Sequence, residues 1–416
     1  MAEISQTSKL RIIVSQNALI TTLFFLILPL YSLPWIIKGM LRCEKWAFLL
    51  WACFMGLVGI LIPPTGDFYR YTTDFYMYKE CNWNTFLILA LLKNDFMLPM
   101  ISYILGVFDW NFDISRFIYN FWGYYLLGLL YLDIVKSNPA LQVRKVFIYA
   151  LGFFIALGLS DYCFRYGLSS IFFVYGAYHI VYREKKWGWL YVLLAVFNHL
   201  SFLVFLFILV LQQIHFFRFG RKIVIIMIIA AVFINSSYII SIFNMLPVDF
   251  VTHYMAYLDG YWAGEYLEDH SWKYRMMQMF TSLIQYACVI VYILCYHKGR
   301  RNSLALVNAT LFLTFITTPF VTIQGRFMSV MLNFIKIHFL THFDGSWRMT
   351  RYLKYMFWLV MISNLMGLWG FRRQFAISDF SMMATSSSIN ILTHIYNQRW
   401  IDRNVSEDGD LMQINF

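Results

Sequence analysis

The sequence predicts an all-α fold in which about 12 to 14 helices cross a membrane. Three observations predict it. Of the 416 residues 60% are hydrophobic, and the mean hydropathy is +0.60, more apolar than a globular domain of this length is expected to be. Apolar runs of roughly 15 to 22 residues, each long enough or nearly so to cross ~30 Å of hydrocarbon, recur from Ala18 to Phe371. Aromatic residues make up 20% of the chain, and many Trp and Tyr flank the runs, where headgroups favour them.

The runs follow in order. Ala18–Ile37 comes first; it lacks a small-residue cleavage site and a second run follows, so it reads as a retained span. Trp46–Ile62 ends at Pro63-Pro64. Phe86–Phe108 is broken by Lys93-Asn94-Asp95 and Pro99, and reads either as a surface helix plus one crossing or as a re-entrant pair. Phe117–Val135, Val146–Ser160, Tyr166–Tyr182, Trp187–Leu200, Phe202–Ile214 and Ile223–Phe243 follow. After the loop 244–275 come Met276–Tyr296, Leu304–Val321, Phe327–Thr341 and Tyr352–Phe371. Residues 1–373 thus form one polytopic domain, and 374–416 a more polar carboxyl tail with a short amphipathic stretch at Ile389–Trp400.

Charge orients this arrangement. The formal net charge is +11, but the basic residues lie in short separate clusters, which argues against a nucleic-acid partner. The clusters are Lys38/Arg42/Lys45, Lys136/Arg144/Lys145, Arg183/Lys185/Lys186, Arg218/Arg221/Lys222, Lys298/Arg300/Arg301 and Arg348/Arg351/Lys354. The positive-inside tendency places them on the cytoplasmic side. The six cysteines have no metal-site spacing and read as packing residues.

On the opposite face, isolated polar groups collect at the ends of runs. Asp67 and Arg70, in Gly66-Asp67-Phe68-Tyr69-Arg70-Tyr71, share a helical face. They read either as a phosphate clamp with its orienting acid or as an interfacial ion pair. Asp161 and Arg165 read either as a salt bridge over a tight turn or, for Arg165, as a diphosphate ligand. His199, between two apolar runs, is either a general base or a core histidine bonded to Ser201. Arg326 is a second phosphate clamp or a snorkelling anchor. Arg116 falls on the same face. The loop 244–275 holds His253, Tyr254 and other aromatics among carboxylates, and Arg275 at its end; it suits a sugar or an ordinary solvated lid. Neither a zinc-ligand spacing nor a nucleotide-binding glycine pattern is present, so no metal and no cofactor is expected.

Four segments carry a resemblance: Gly66–Tyr71; Arg165 opening Phe164-Arg165-Tyr166-Gly167-Leu168-Ser169; Val196-Phe197-Asn198-His199-Leu200-Ser201; and Arg326-Phe327. The arrangement resembles the EpsG-like family of bacterial polysaccharide polymerases, within the wider Wzy group of O-antigen and exopolysaccharide polymerases. The usual arginine before the Gly-Asp element is absent, and Arg165-Tyr166 stands where the family has Arg-Gln. The resemblance implies a GT-C-like inner-membrane glycosyltransferase that joins undecaprenyl-diphosphate-linked oligosaccharides at the periplasmic face. It implies catalytic roles for His199, Asp67 and Arg165, and substrate contacts from Arg70, Arg326, Tyr71, Arg116, Arg275, His253 and Tyr254. Membrane lipids and a chain-length regulator are the implied partners. The competing expectations are an O-antigen ligase and a flippase for lipid-linked oligosaccharide, the latter calling for an internal repeat.

Overall fold

The computed structural model describes residues 17–92, 95–154, 164–214, 218–245, 258, 272–294, 301–370, 372–396, 398–407, 409, 411 and 412. Among them the chain is helical, and its only β pairing is an isolated bridge between Val405 and Leu411. The expected all-α class is seen.

Residues 17–27 are helical and lead into α1 (Pro29–Met40), which has proline at its first position. Then come α2 (Lys45–Leu61), α3 (Asp67–Lys79), α4 (Trp83–Leu92), α5 (Met97–Val107) and α6 (Asp113–Ser137). A 3₁₀ turn (Pro139–Gln142) precedes α7 (Arg144–Phe154), α8 (Arg165–Val181), α9 (Gly188–Asn198) and α10 (Phe202–Gln213). The later helices are α11 (Arg221–Val232), α12 (Ser236–Phe243), α13 (Trp272–Leu294), α14 (Arg301–Ile316), α15 (Val321–Thr341) and α16 (Trp347–Gly370).

Two helix pairs form the centre. α2 packs along α6, and α8 along α9. The second pair owes its closeness to two glycines: a Cβ on Gly176 would lie 2.5 Å from the Gly188 carbonyl oxygen, and a Cβ on Gly188 would lie as close to that of Gly176. Backbones can touch there only because neither residue has a side chain. α6 bridges the pairs, and α15 packs on α8, which brings the late helices onto the same core. Asp113 in the first turn of α6 and Lys136 in its last complement the helix dipole.

The membrane part of the expectation is corrected by helix length and polarity. Among the described residues no helix is long and apolar enough to cross a membrane. The run Trp46–Ile62 becomes the 17-residue α2, about 26 Å long at 1.5 Å per residue and short of ~30 Å. Trp187–Leu200 and Phe202–Ile214 become helices of 11 and 12 residues. The longer helices carry charge: Asp113, Arg116, Asp133 and Lys136 in α6, and Arg348, Arg351 and Lys354 in α16. In α15, Gln324, Arg326, Asn333, Lys336 and His338 interrupt the apolar residues. The expected polytopic GT-C-like architecture and the multi-pass inner-membrane location are therefore corrected. With them go the contact with membrane lipids, the undecaprenyl-diphosphate oligosaccharide as partner, and the periplasmic glycosyltransferase reaction. The ligase and flippase alternatives rested on the same spans and are corrected with it. Much of the apolar content instead fills a continuous core running from Phe25 to Ile391. Apolar side chains also remain on outer helix faces, among them Leu190, Phe197, Phe207 and Ile226.

The carboxyl segment packs back on this core. Tyr396 donates its hydroxyl hydrogen to the Leu61 carbonyl at the end of α2. Gln374 Nε2 donates to Thr65 Oγ1 at 2.7 Å, and Gly66 N–H donates to the Gly409 carbonyl at 2.7 Å. Gly66 has φ +57, a conformation that glycine adopts without strain and that starts α3 in its observed direction. Within the amphipathic stretch foreseen at Ile389–Trp400, helices are observed at Ser388–Leu392 and Gln398–Asn404.

Candidate functional site

A polar cluster forms where the N-termini of α8 and α15 meet the turn between α9 and α10. Arg165 is the first residue of α8. A cation at a helix N-terminus is opposed by the helix dipole, so it needs an anion nearby. Asp95 supplies one: its carboxylate lies 2.7 Å from Arg165 Nη2. The second Asp95 oxygen accepts the Leu200 backbone N–H at 3.0 Å, which fixes the start of α10 to the same point. The Arg165 guanidinium also lies over Tyr71, 4.9 Å from the ring centre. Tyr71 in turn stacks on Phe164 at 5.5 Å. Burial pushes the Tyr71 phenol above its ordinary value, and Arg165 opposes that shift. The Arg165 Nε is buried and has no hydrogen-bond partner among the described residues.

Asn198 is the buried joint of the cluster. Its amide donates to the Arg165 carbonyl at 2.7 Å and to Ser169 Oγ at 2.9 Å. Its carbonyl oxygen accepts from the Tyr119 hydroxyl at 2.8 Å. One side chain thus ties α6, α8 and α9 together. His199 follows as the residue that ends α9 and is 7% exposed. Ser201 presents its hydroxyl 2.9 Å from His199 Nδ1 and its backbone N–H 3.4 Å from the same atom. This network assigns Nδ1 as acceptor, so a neutral ring carries its proton on Nε2.

Tyr166 connects the histidine to the second arginine. Its ring meets His199 edge-on at 5.4 Å, and the Arg326 guanidinium lies 5.5 Å from its centre. Burial raises the Tyr166 phenol, and Arg326 opposes this. Arg326 stands in the second turn of α15, directly after an exposed glycine, Gly325, where an added Cβ would meet nothing within 4 Å.

Of the residues singled out by sequence, Arg165 thus contacts Tyr71, while His199 and Arg326 share contact with Tyr166. The structure adds Asp95, Tyr166 and Tyr119. The signal for Asp95 was the charged interruption of an apolar segment; its partner lay 70 positions away, so only the fold discloses the pairing. Asp67 and Arg70 form a 2.7 Å ion pair beside this group, with side chains 65% and 61% exposed. Arg116 is turned to structure: only 1% exposed, it pairs with Asp113 and donates to the Ile60 and Ile62 carbonyls at the end of α2. Arg275 is exposed in the first turn of α13. His253, Tyr254 and Asp161 lie outside the described residues.

Among the described residues no group of three or more His, Cys, Asp or Glu could hold a metal ion. Comparison with protein-family models, with curated proteins and with solved structures gave no match. Membership of the EpsG-like and Wzy polymerases is accordingly corrected on two grounds: no family model matches, and no described helix is suited to span a membrane. The polymerase assignment, the implied glycosyltransferase chemistry and the chain-length regulator have no further support.

Proposed function

We propose that the protein binds an oxyanion-bearing ligand, a phosphate or carboxylate, at the cluster of Arg165, His199 and Arg326. One observation carries the reading: two arginines from distant segments each lie over a tyrosine ring next to the His199 turn, Arg165 over Tyr71 at 4.9 Å and Arg326 over Tyr166 at 5.5 Å, and Tyr166 meets His199 edge-on at 5.4 Å. A guanidinium presents several donors in a plane, so an arginine already paired on one edge keeps others for a second anion. Tyr71 and Tyr166 meet the two guanidiniums face-on, a contact that does not use their in-plane N–H donors. The reading is of binding, and no reaction step is assigned.

Titration calorimetry with inorganic diphosphate tests it. Each charge-assisted hydrogen bond contributes about 1.5–3 kcal/mol where partly buried, so Arg165→Gln with Arg326→Gln should weaken binding by at least about thirtyfold. Arg165→Lys and Arg326→Lys should also weaken it, because a point charge does not reproduce the fork. Unchanged affinity in the Gln pair would refute the proposal.

A further inference from the structure

A second basic site lies on the far ends of α1 and α6. The sequence clusters around Lys38 and around Lys136 are about a hundred residues apart, yet the fold brings them to one cavity of about 670 Å³. Lys38, Arg42 and Lys136 line it together with Val135 and Phe147. That volume is in the range of small-molecule sites. Among the described residues no acid lines it, and none of the three cations makes an ion pair.

Helix dipoles account for part of this. Lys38 and Lys136 stand in the last turns of α1 and α6, where cations are favoured. They do not account for Arg42, which lies beyond α1 and is brought round by a tight turn. In that turn Arg42 N–H donates to Gly39 O and Cys43 N–H to Met40 O, and Cys43 adopts a left-handed φ of +58. Nor does a dipole require apolar lining, which Leu41, Val135 and Phe147 provide; of these Leu41 is the exposed one. Three cations and apolar side chains lining one cavity fit an anion that carries a ring or short chain.

We propose that this cavity binds an organic phosphate, with its phosphoryl oxygens on Lys38, Arg42 and Lys136 and its apolar portion against Leu41 and the apolar lining beside it. The site does not depend on the Arg165 cluster. It is tested in the full chain carrying Arg165→Gln and Arg326→Gln, so that the other site cannot contribute. Calorimetry with 1-naphthyl phosphate should show one site. Lys38→Gln with Lys136→Gln should weaken it at least about tenfold. Both lysines are solvent-exposed, so the helical circular-dichroism spectrum should not change. Naphthyl phosphate should also bind at least about tenfold more tightly than inorganic phosphate, because its ring leaves water. Unchanged affinity in the lysine pair, or equal affinity for the two phosphates, would overturn the proposal. Phosphatidylcholine vesicles containing phosphatidate form a second arm: binding to them with none to naphthyl phosphate would overturn the assignment to a free ligand.

Discussion

Replacing Arg116 tests the division between structural and ligand-binding arginines. Its guanidinium satisfies the Asp113 carboxylate and the carbonyls of Ile60 and Ile62 from a position 1% exposed. In Arg116→Ala the Asp113 carboxylate stays buried and, among the described residues, keeps the Asn111 amide at 3.1 Å as its one side-chain donor. Two helix-end carbonyls lose their partner as well. Breaking a buried ion pair from one side costs about 3–5 kcal/mol, and the orphaned carbonyls add to this unless water reaches them. Urea denaturation followed by circular dichroism should show a loss of about 3–5 kcal/mol at pH 7. Adding Asp113→Asn should recover part of it, since the stranded charge is then gone. A loss below about 1 kcal/mol in Arg116→Ala would refute the structural assignment.

Four further outcomes are expected. Asn198→Leu removes three hydrogen bonds at the joint of α6, α8 and α9; it should cost about 2–4 kcal/mol in the same assay and weaken diphosphate binding, because Arg165 loses its backbone anchor. Gly176→Val should prevent α8 and α9 from meeting and abolish cooperative unfolding. Burial lowers the Lys336 ammonium to about 8, so below that pH the unfolded chain is favoured by the unburied charge. Stability should rise with pH from about 8 towards 10.5, and Lys336→Met should stabilise the protein at pH 7 with a gain that shrinks at pH 10. Burial lowers His179 to about 4; its contribution is present above about 6.5 and is lost as pH falls through about 4, so His179→Gln should flatten acid denaturation over that window.

How much of this was legible in the sequence differs by feature. Helix positions were: α8, α9 and α10 lie close to the runs foreseen, and the charged break near Asp95 divides α4 from α5. Membrane crossing was not decided by apolar content, because a run yields a spanning segment only if one helix stays long and apolar. α2 stops after 17 residues, and α6 carries charges near both ends. The expectation that Arg165, His199 and Arg326 share one face came from their positions at the ends of runs; the contact of Arg326 and His199 with the same Tyr166 ring could not be read there. Nor could the roles of Asp95 and Tyr166, since both depend on contacts between distant segments. Arg116 looked like its fellow arginines in sequence; only burial distinguishes it. The tail's polar composition did not disclose that Tyr396 and Gln374 secure the end of α2 and the entry to α3, contacts between segments over 300 residues apart.

The most direct test of the central claim is a structure of the protein with tungstate, an electron-dense analogue of phosphate. A tetrahedral anion should appear between the Arg165 and Arg326 guanidiniums, beside Tyr166 and His199, and disappear in the Arg165→Gln/Arg326→Gln variant. Tungstate bound elsewhere with this position empty, at a concentration that saturates binding in solution, would contradict it.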